Sequence, residues 1–176
     1  MITRKTLIFL GLIIVLIVIG VGSYFSFFNK GTKPVQQQGQ VAFLLSPAET
    51  TKSIGESFDV EVSIDGNDYD VSGIDMTLTF DKDKLELANY KGSETFSDIL
   101  VNKPNNQAGT FRVVTTKSLS NRETGLIKVG TLTFKARAAG MGEVLFQNPL
   151  VTASGQDAYI PTSNNTTGKY EVKGGP

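Results

Sequence analysis

A two-layer all-β fold is predicted for most of this chain, behind one apolar helix. From residue 41 to about residue 172, Val, Ile, Thr and Phe are common, and clusters of Gly, Asn, Asp and Ser return at short intervals. That pattern marks many short strands joined by turns. Most apolar stretches in this region alternate with a period of two, as half-buried strands do. None has the length and spacing of a long helix. The expected class is all-β: a two-sheet antiparallel β-sandwich, jelly-roll-like, with about nine strands, preceded by one transmembrane α-helix. A closed barrel is the structural alternative.

The chain begins with a short N-terminus, residues 1–5, carrying Arg4 and Lys5. Residues 6–28 follow without a charge. As a helix these 23 residues would span roughly 34 Å, enough for the hydrocarbon core of a bilayer. A cleaved signal peptide is the competing reading. It is disfavoured because the run exceeds the usual apolar core of ~7–15 residues and lacks a small-residue cleavage site after it. Tyr24, Phe25, Phe27 and Phe28 cluster where rings settle at a membrane interface. Arg4 and Lys5 favour a cytoplasmic start, so the expectation is a single-pass cell-membrane protein with its C-terminal domain extracellular. Residues 29–40, NKGTKPVQQQGQ, hold one apolar residue, Val35, too few to bury a core; a flexible linker is expected. The β-domain is expected over residues 41–173, with a tail at 174–176.

Strand faces follow from alternation. VAFLL, 41–45, opens the sheet. In SFDVEVSI, Phe58, Val60, Val62 and Ile64 point one way. In GIDMTLTF, Ile74, Met76, Leu78 and Phe80 point inward, while Asp75, Thr77 and Thr79 point outward. LELANY places Leu85 and Leu87 together. SETFSDILV is expected to be a loop with one helical turn. In GTFRVVTTK, Phe111, Val113 and Thr115 share one face; Arg112, Val114 and Thr116 share the other. GLIKVGTLTFKAR breaks parity at Gly130, which predicts a bulge. GEVLFQ, PLVTA, AYIPT and GKYEVK supply the remaining strands.

Composition narrows function. The chain has 17 basic and 17 acidic residues, no His and no Cys. The charge balance gives no footprint for nucleic acid. Without Cys there are no disulfides or zinc–cysteine sites. Without His the commonest general base and metal ligand is missing. DGNDYD, 65–70, gathers Asp65, Asn67, Asp68 and Asp70. Yet Tyr69, Asp70 and Met76 occupy positions where the calcium-loop template needs a ligand, a Gly and a Glu. It is read as a solvated turn. No carboxylate pair stands out for acid/base hydrolysis. No enzyme activity, no cofactor and no metal are expected.

The stretch FDKDKLEL resembles the strand–turn–strand of a cohesin domain, in which an aromatic and an Asp precede a short turn and then Leu-x-Val or Leu-x-Leu. Here these are Phe80, Asp81, Leu85 and Leu87, with Lys82 where the family usually has Pro. GTLTFKARAAGMGEVLFQNPLVTASGQDAYIPT resembles a second family stretch, and together the likeness covers about residues 41–172. On residues alone, Phe80, Leu85 and Leu87 are core, and Asp81 fixes the corner by accepting from backbone N–H groups.

The resemblance implies a non-catalytic receptor module that docks dockerin, a small calcium-loaded helical protein, across one sheet face. Matched by motif, the partner-binding residues are Asp75, Thr77, Val114, Thr116 and Lys117, with Gly73 and Ser120 at further contact positions. Lys117 stands where the family is usually acidic, and a reversed charge changes which partner fits. The alternative function is a carbohydrate-binding module of the same superfamily, serving polysaccharide attachment or degradation. Against it, Trp is absent, and Tyr69, Tyr90, Tyr159 and Tyr170 are scattered over different elements.

Overall fold

Alternating apolar side chains need a second layer to bury them, and the chain supplies it. A computed structural model describes residues 40–118 and 122–174. The segments assigned to the membrane helix and to all of the linker but Gln40 lie outside the described residues. Among the described residues no helix is long and apolar enough to cross a membrane.

Ten strands appear in the described part: β1 (Ala42–Ser46), β2 (Glu49–Ser53), β3 (Ser57–Asp65), β4 (Val71–Phe80), β5 (Leu85–Gly92), β6 (Asp98–Asn105), β7 (Thr110–Thr116), β8 (Leu126–Ala136), β9 (Gly140–Ala153) and β10 (Gly168–Lys173). They form a four-stranded sheet, β1-β3-β8-β5, and a six-stranded sheet, β2-β10-β9-β4-β7-β6. Two open sheets replace the closed barrel. One pairing departs from the antiparallel expectation, because β2 runs parallel to β10. The other ladders are antiparallel.

The predicted faces are observed. Phe58, Val60, Val62 and Ile64 are buried, as are Ile74, Met76, Leu78 and Phe80, and also Phe111, Val113 and Thr115. Thr115 satisfies its buried hydroxyl by donating to the carbonyls of Phe96 and Asp98. Between the layers Phe58 lies 5.2 Å from Tyr170 and Phe80 lies 5.5 Å from Phe134, ring centre to centre. Such separations suit tilted and edge-on aromatic contacts. The Tyr170 hydroxyl donates to the Pro47 carbonyl at 3.0 Å, so its polar tip is satisfied.

The corner at Phe80–Leu87 forms as its residues predict. Asp81 Oδ1 accepts from the Asp83 N–H, and the Asp81 carbonyl accepts from the Leu85 N–H at 2.8 Å. Phe80, Leu85 and Leu87 enter the core. Beside the corner, Gly109 has φ +65, and a Cβ there would come within 2.4 Å of the Phe80 carbonyl oxygen. The parity break at Gly130 is also real: opposite β3 the register skips from Gly130 to Lys128.

Several elements differ from expectation. β2 and β6 have no counterpart in the predicted strands. Residues 93–97 do turn, with Ser93 Oγ accepting from the Phe96 N–H. The chain then enters β6 instead of remaining a loop. GEVLFQ and PLVTA are one long strand, β9, kinked where Asn148 adopts φ 43. AYIPT is not a strand. It makes single bridges, Ile160 to Val151 and Thr162 to Val41.

β1 and β2 follow each other in one direction and switch sheets across Pro47 and Ala48. Because β10 runs parallel to β2, the chain enters at one end of the sandwich and leaves β10 at the other.

Candidate partner-binding face

Paired residues in an antiparallel ladder share a face, so the registers place the outer surface of β9-β4-β7-β6 row by row. Thr152, Gly73, Thr116 and Asp98 make the first row. Leu150, Asp75, Val114 and Val101 make the second. Gln147, Thr77, Arg112 and Lys103 make the third. Leu145, Thr79, Thr110 and Asn105 make the fourth. Strand spacing near 4.8 Å and a rise near 3.4 Å per residue give this grid a size of roughly 14 by 20 Å.

Four of the sequence-assigned residues, Asp75, Thr77, Val114 and Thr116, therefore lie together on one surface. Gly73 joins them, but the Thr152 side chain sits over it, 2.7 Å from where a Cβ would be. Lys117 does not. It is 7 % exposed, and its ammonium pairs with the Asp70 carboxylate. Its backbone N–H donates to the Ser72 carbonyl. The physical reason is parity, since Lys117 continues the inward phase of Phe111, Val113 and Thr115. Ser120 lies outside the described residues.

Arg112, Lys103, Leu150 and Val101 lie on the same surface among the sequence-assigned residues and were not assigned to partner binding. Arg112 was legible as outward. Lys103 and Val101 were not, because β6 lies at a sheet edge and its residues show no alternation of burial. Leu150 follows the kink in β9, which hides its phase.

Asp75 is not a free carboxylate. One oxygen accepts from Arg112 Nε at 3.0 Å and the other from Arg112 Nη2 at 2.7 Å. This two-pronged bond holds the Asp75 carboxyl below the usual carboxylate range, against a smaller opposing effect of burial. Second-row Leu150 is 41 % exposed, and Leu145 and Met141 stand exposed further along β9. Apolar side chains thus line β9 and, on either side of the Arg112-paired Asp75, the second row.

The opposite surface is different. On the four-stranded sheet Lys128 pairs with Glu61 at 2.7 Å, and Thr133 donates to Asp59 at 2.7 Å. Cross-strand polar pairs of this kind make a solvated face. Its large exposed apolar residue, Leu126, sits at the end of β8. The tyrosines form no platform: Tyr90 and Tyr170 are buried, Tyr69 packs against the core, and Tyr159 is exposed on the β9–β10 connection.

The DGNDYD turn is only partly solvated. Asp65 accepts from the Asn67 N–H. Asp70 takes the Lys117 ammonium and the Glu123 N–H. Among the described residues no three acidic side chains gather as a metal site would require.

Known proteins agree with this architecture. A family model of the cohesin domain matches residues 43–172. No curated protein matches the chain. Among solved structures, the third ScaC cohesin of Acetivibrio cellulolyticus, in complex with the ScaB dockerin, superposes with a TM-score of 0.62 at 16% identity, over 76% of this chain and 99% of that one. The seventh ScaB type I cohesin of Pseudobacteroides cellulosolvens gives 0.63 at 13% identity, over 78% and 94%. A non-cellulosomal cohesin from the archaeon Archaeoglobus fulgidus gives 0.60 at 15% identity, over 77% and 92%. A matched stretch that takes in all but the ends of the sandwich settles its kinship: the chain belongs to the cohesin family.

Proposed function

We propose that this chain is a docking module that catalyses nothing and holds a dockerin-type protein against the outer face of β9-β4-β7-β6. The observation that carries the reading is the second row, where exposed Leu150 and half-buried Val114 and Val101 flank an Asp75 already paired with Arg112, on a sandwich whose other face carries polar pairs. Cohesins are binding modules, and relatives of this fold have been solved with dockerins bound. A grid of roughly 14 by 20 Å suits one or two helices about 10 Å wide. Asp75, Thr77, Val114 and Thr116 would make contact; Lys117 would support the end of β7 from within.

Residues 6–28 would anchor the module in the cell membrane, with the N-terminus cytoplasmic and the sandwich outside. Their length and lack of charge support this. Protease added to intact cells should remove the sandwich and leave a membrane-bound N-terminal fragment. A chain found wholly in the soluble fraction would contradict the anchor.

The docking reading is tested by titrating the full chain in detergent with a panel of calcium-loaded dockerins. Binding of at least one, with one-to-one stoichiometry, is expected. No binding across the panel, together with binding on a glycan array, would favour the carbohydrate-binding alternative.

A further inference from the structure

The geometry points to an acidic partner: the docking face recognises a helical protein that places a carboxylate over Lys103 and Arg112. This rests on the docking reading above and adds the sign of the charge to it.

The third row sets that sign. Arg112 and Lys103 face each other across β7 and β6. Arg112 is half exposed and already matched by Asp75 through both carboxylate oxygens. Lys103 is exposed, on an edge strand, and among the described residues it has no ion-pair partner. The row therefore carries one surplus positive charge. The next carboxylates on this surface are Asp98, opposite Thr116, and Glu143, beyond Leu145 on β9. Asp98 lies four β7 positions from the row, about 14 Å away at 3.4 Å per residue. Glu143 lies at least as far. Both distances exceed the screening length of about 8 Å at physiological salt, so neither neutralises the row.

The partner cannot avoid it. The second row, apolar at Leu150, Val114 and Val101, and the basic pair of the third row are two residues apart, about 7 Å. A helix is about 10 Å wide. Any helix that covers Leu150, Val114 and Val101 also desolvates Lys103 or Arg112. A cation removed from water without a counter-charge opposes binding, and a partner cation there would repel. A carboxylate at that position does neither. The acidic contact that family likeness assigns to Asp75 is cancelled by Arg112, so the sign presented to the partner is inverted.

The test uses the full chain in detergent and whichever dockerin of the panel binds it. Lys103→Glu should weaken binding at least tenfold, mainly through slower association, and the loss should shrink in 1 M salt. Replacing acidic residues of that dockerin by Lys, one at a time, should identify one change that restores binding to Lys103→Glu while weakening it to the unmodified chain. The melting temperature of Lys103→Glu should stay unchanged, since the side chain is exposed. If Val114→Arg abolishes binding while Lys103→Glu leaves it equal or tighter, the charge inference is overturned and the docking face stands. If no dockerin binds, both fall together.

Discussion

Lys117 and Asp70 show how one residue can be placed by family likeness and replaced by physics. Likeness put Lys117 on the partner face; the period of two in β7 puts it inside, where its ammonium meets Asp70. The Lys117 bond is the largest cause of a lowered Asp70 carboxyl pKa, opposed by burial and helped by the Glu123 N–H and Ser154. The sign follows from linkage. A folded-state value below the ordinary 3.8 means that the stabilisation is complete above that value and is lost as pH falls through the folded one. Asp70→Asn should destabilise by about 1–3 kcal/mol at pH 7, less than for a fully buried pair because Asp70 is partly exposed. Urea titrations from pH 7 to pH 2 should show the gap to the unmodified chain closing in acid. Gly109→Ala should cost about 1–3 kcal/mol, because its positive φ and the Phe80 carbonyl leave no room for a Cβ. A melt unchanged by this substitution would contradict the described corner.

At the scale of the element, legibility tracked burial. β3, β4 and β7 have one buried and one wet face, so alternation revealed both their existence and their phase. β2 and β6 are the two edges of the six-stranded sheet. ETTKS and DILVNKPN bury few side chains, and so carry no periodic signal; they are strands because a neighbour offers backbone hydrogen bonds. The same reasoning explains why Arg112 was readable as outward while Lys103 was not. It also makes a prediction. Amide hydrogens of β4, held between β7 and β9, should exchange with solvent slowest, and those of β2 and β6 fastest. Uniform protection across the six strands, measured by NMR exchange, would argue against this order.

For the whole molecule, two sheets closed over Phe58, Phe80, Phe134 and Tyr170 make a rigid support that frees one broad surface for recognition. Phe134→Ala should destabilise by about 3–5 kcal/mol, seen as a large fall in melting temperature. Binding should be untouched at temperatures where the variant stays folded, because the ring reaches neither face. The two outer surfaces differ in what they leave open: the four-stranded one carries the polar pairs Lys128–Glu61 and Thr133–Asp59, whereas the six-stranded one presents Leu150, Val114 and Val101 beside Lys103, unpaired among the described residues. The most direct measurement compares dockerin affinity after placing an Arg on each, Val114→Arg on the six-stranded sheet and Thr131→Arg, opposite the outward Glu61 on β3, on the four-stranded one, with melting temperatures as the check on folding. Affinity should fall at least a hundredfold for Val114→Arg and stay within twofold for Thr131→Arg. Equal losses, or a loss only for Thr131→Arg, would contradict the assignment of the docking face.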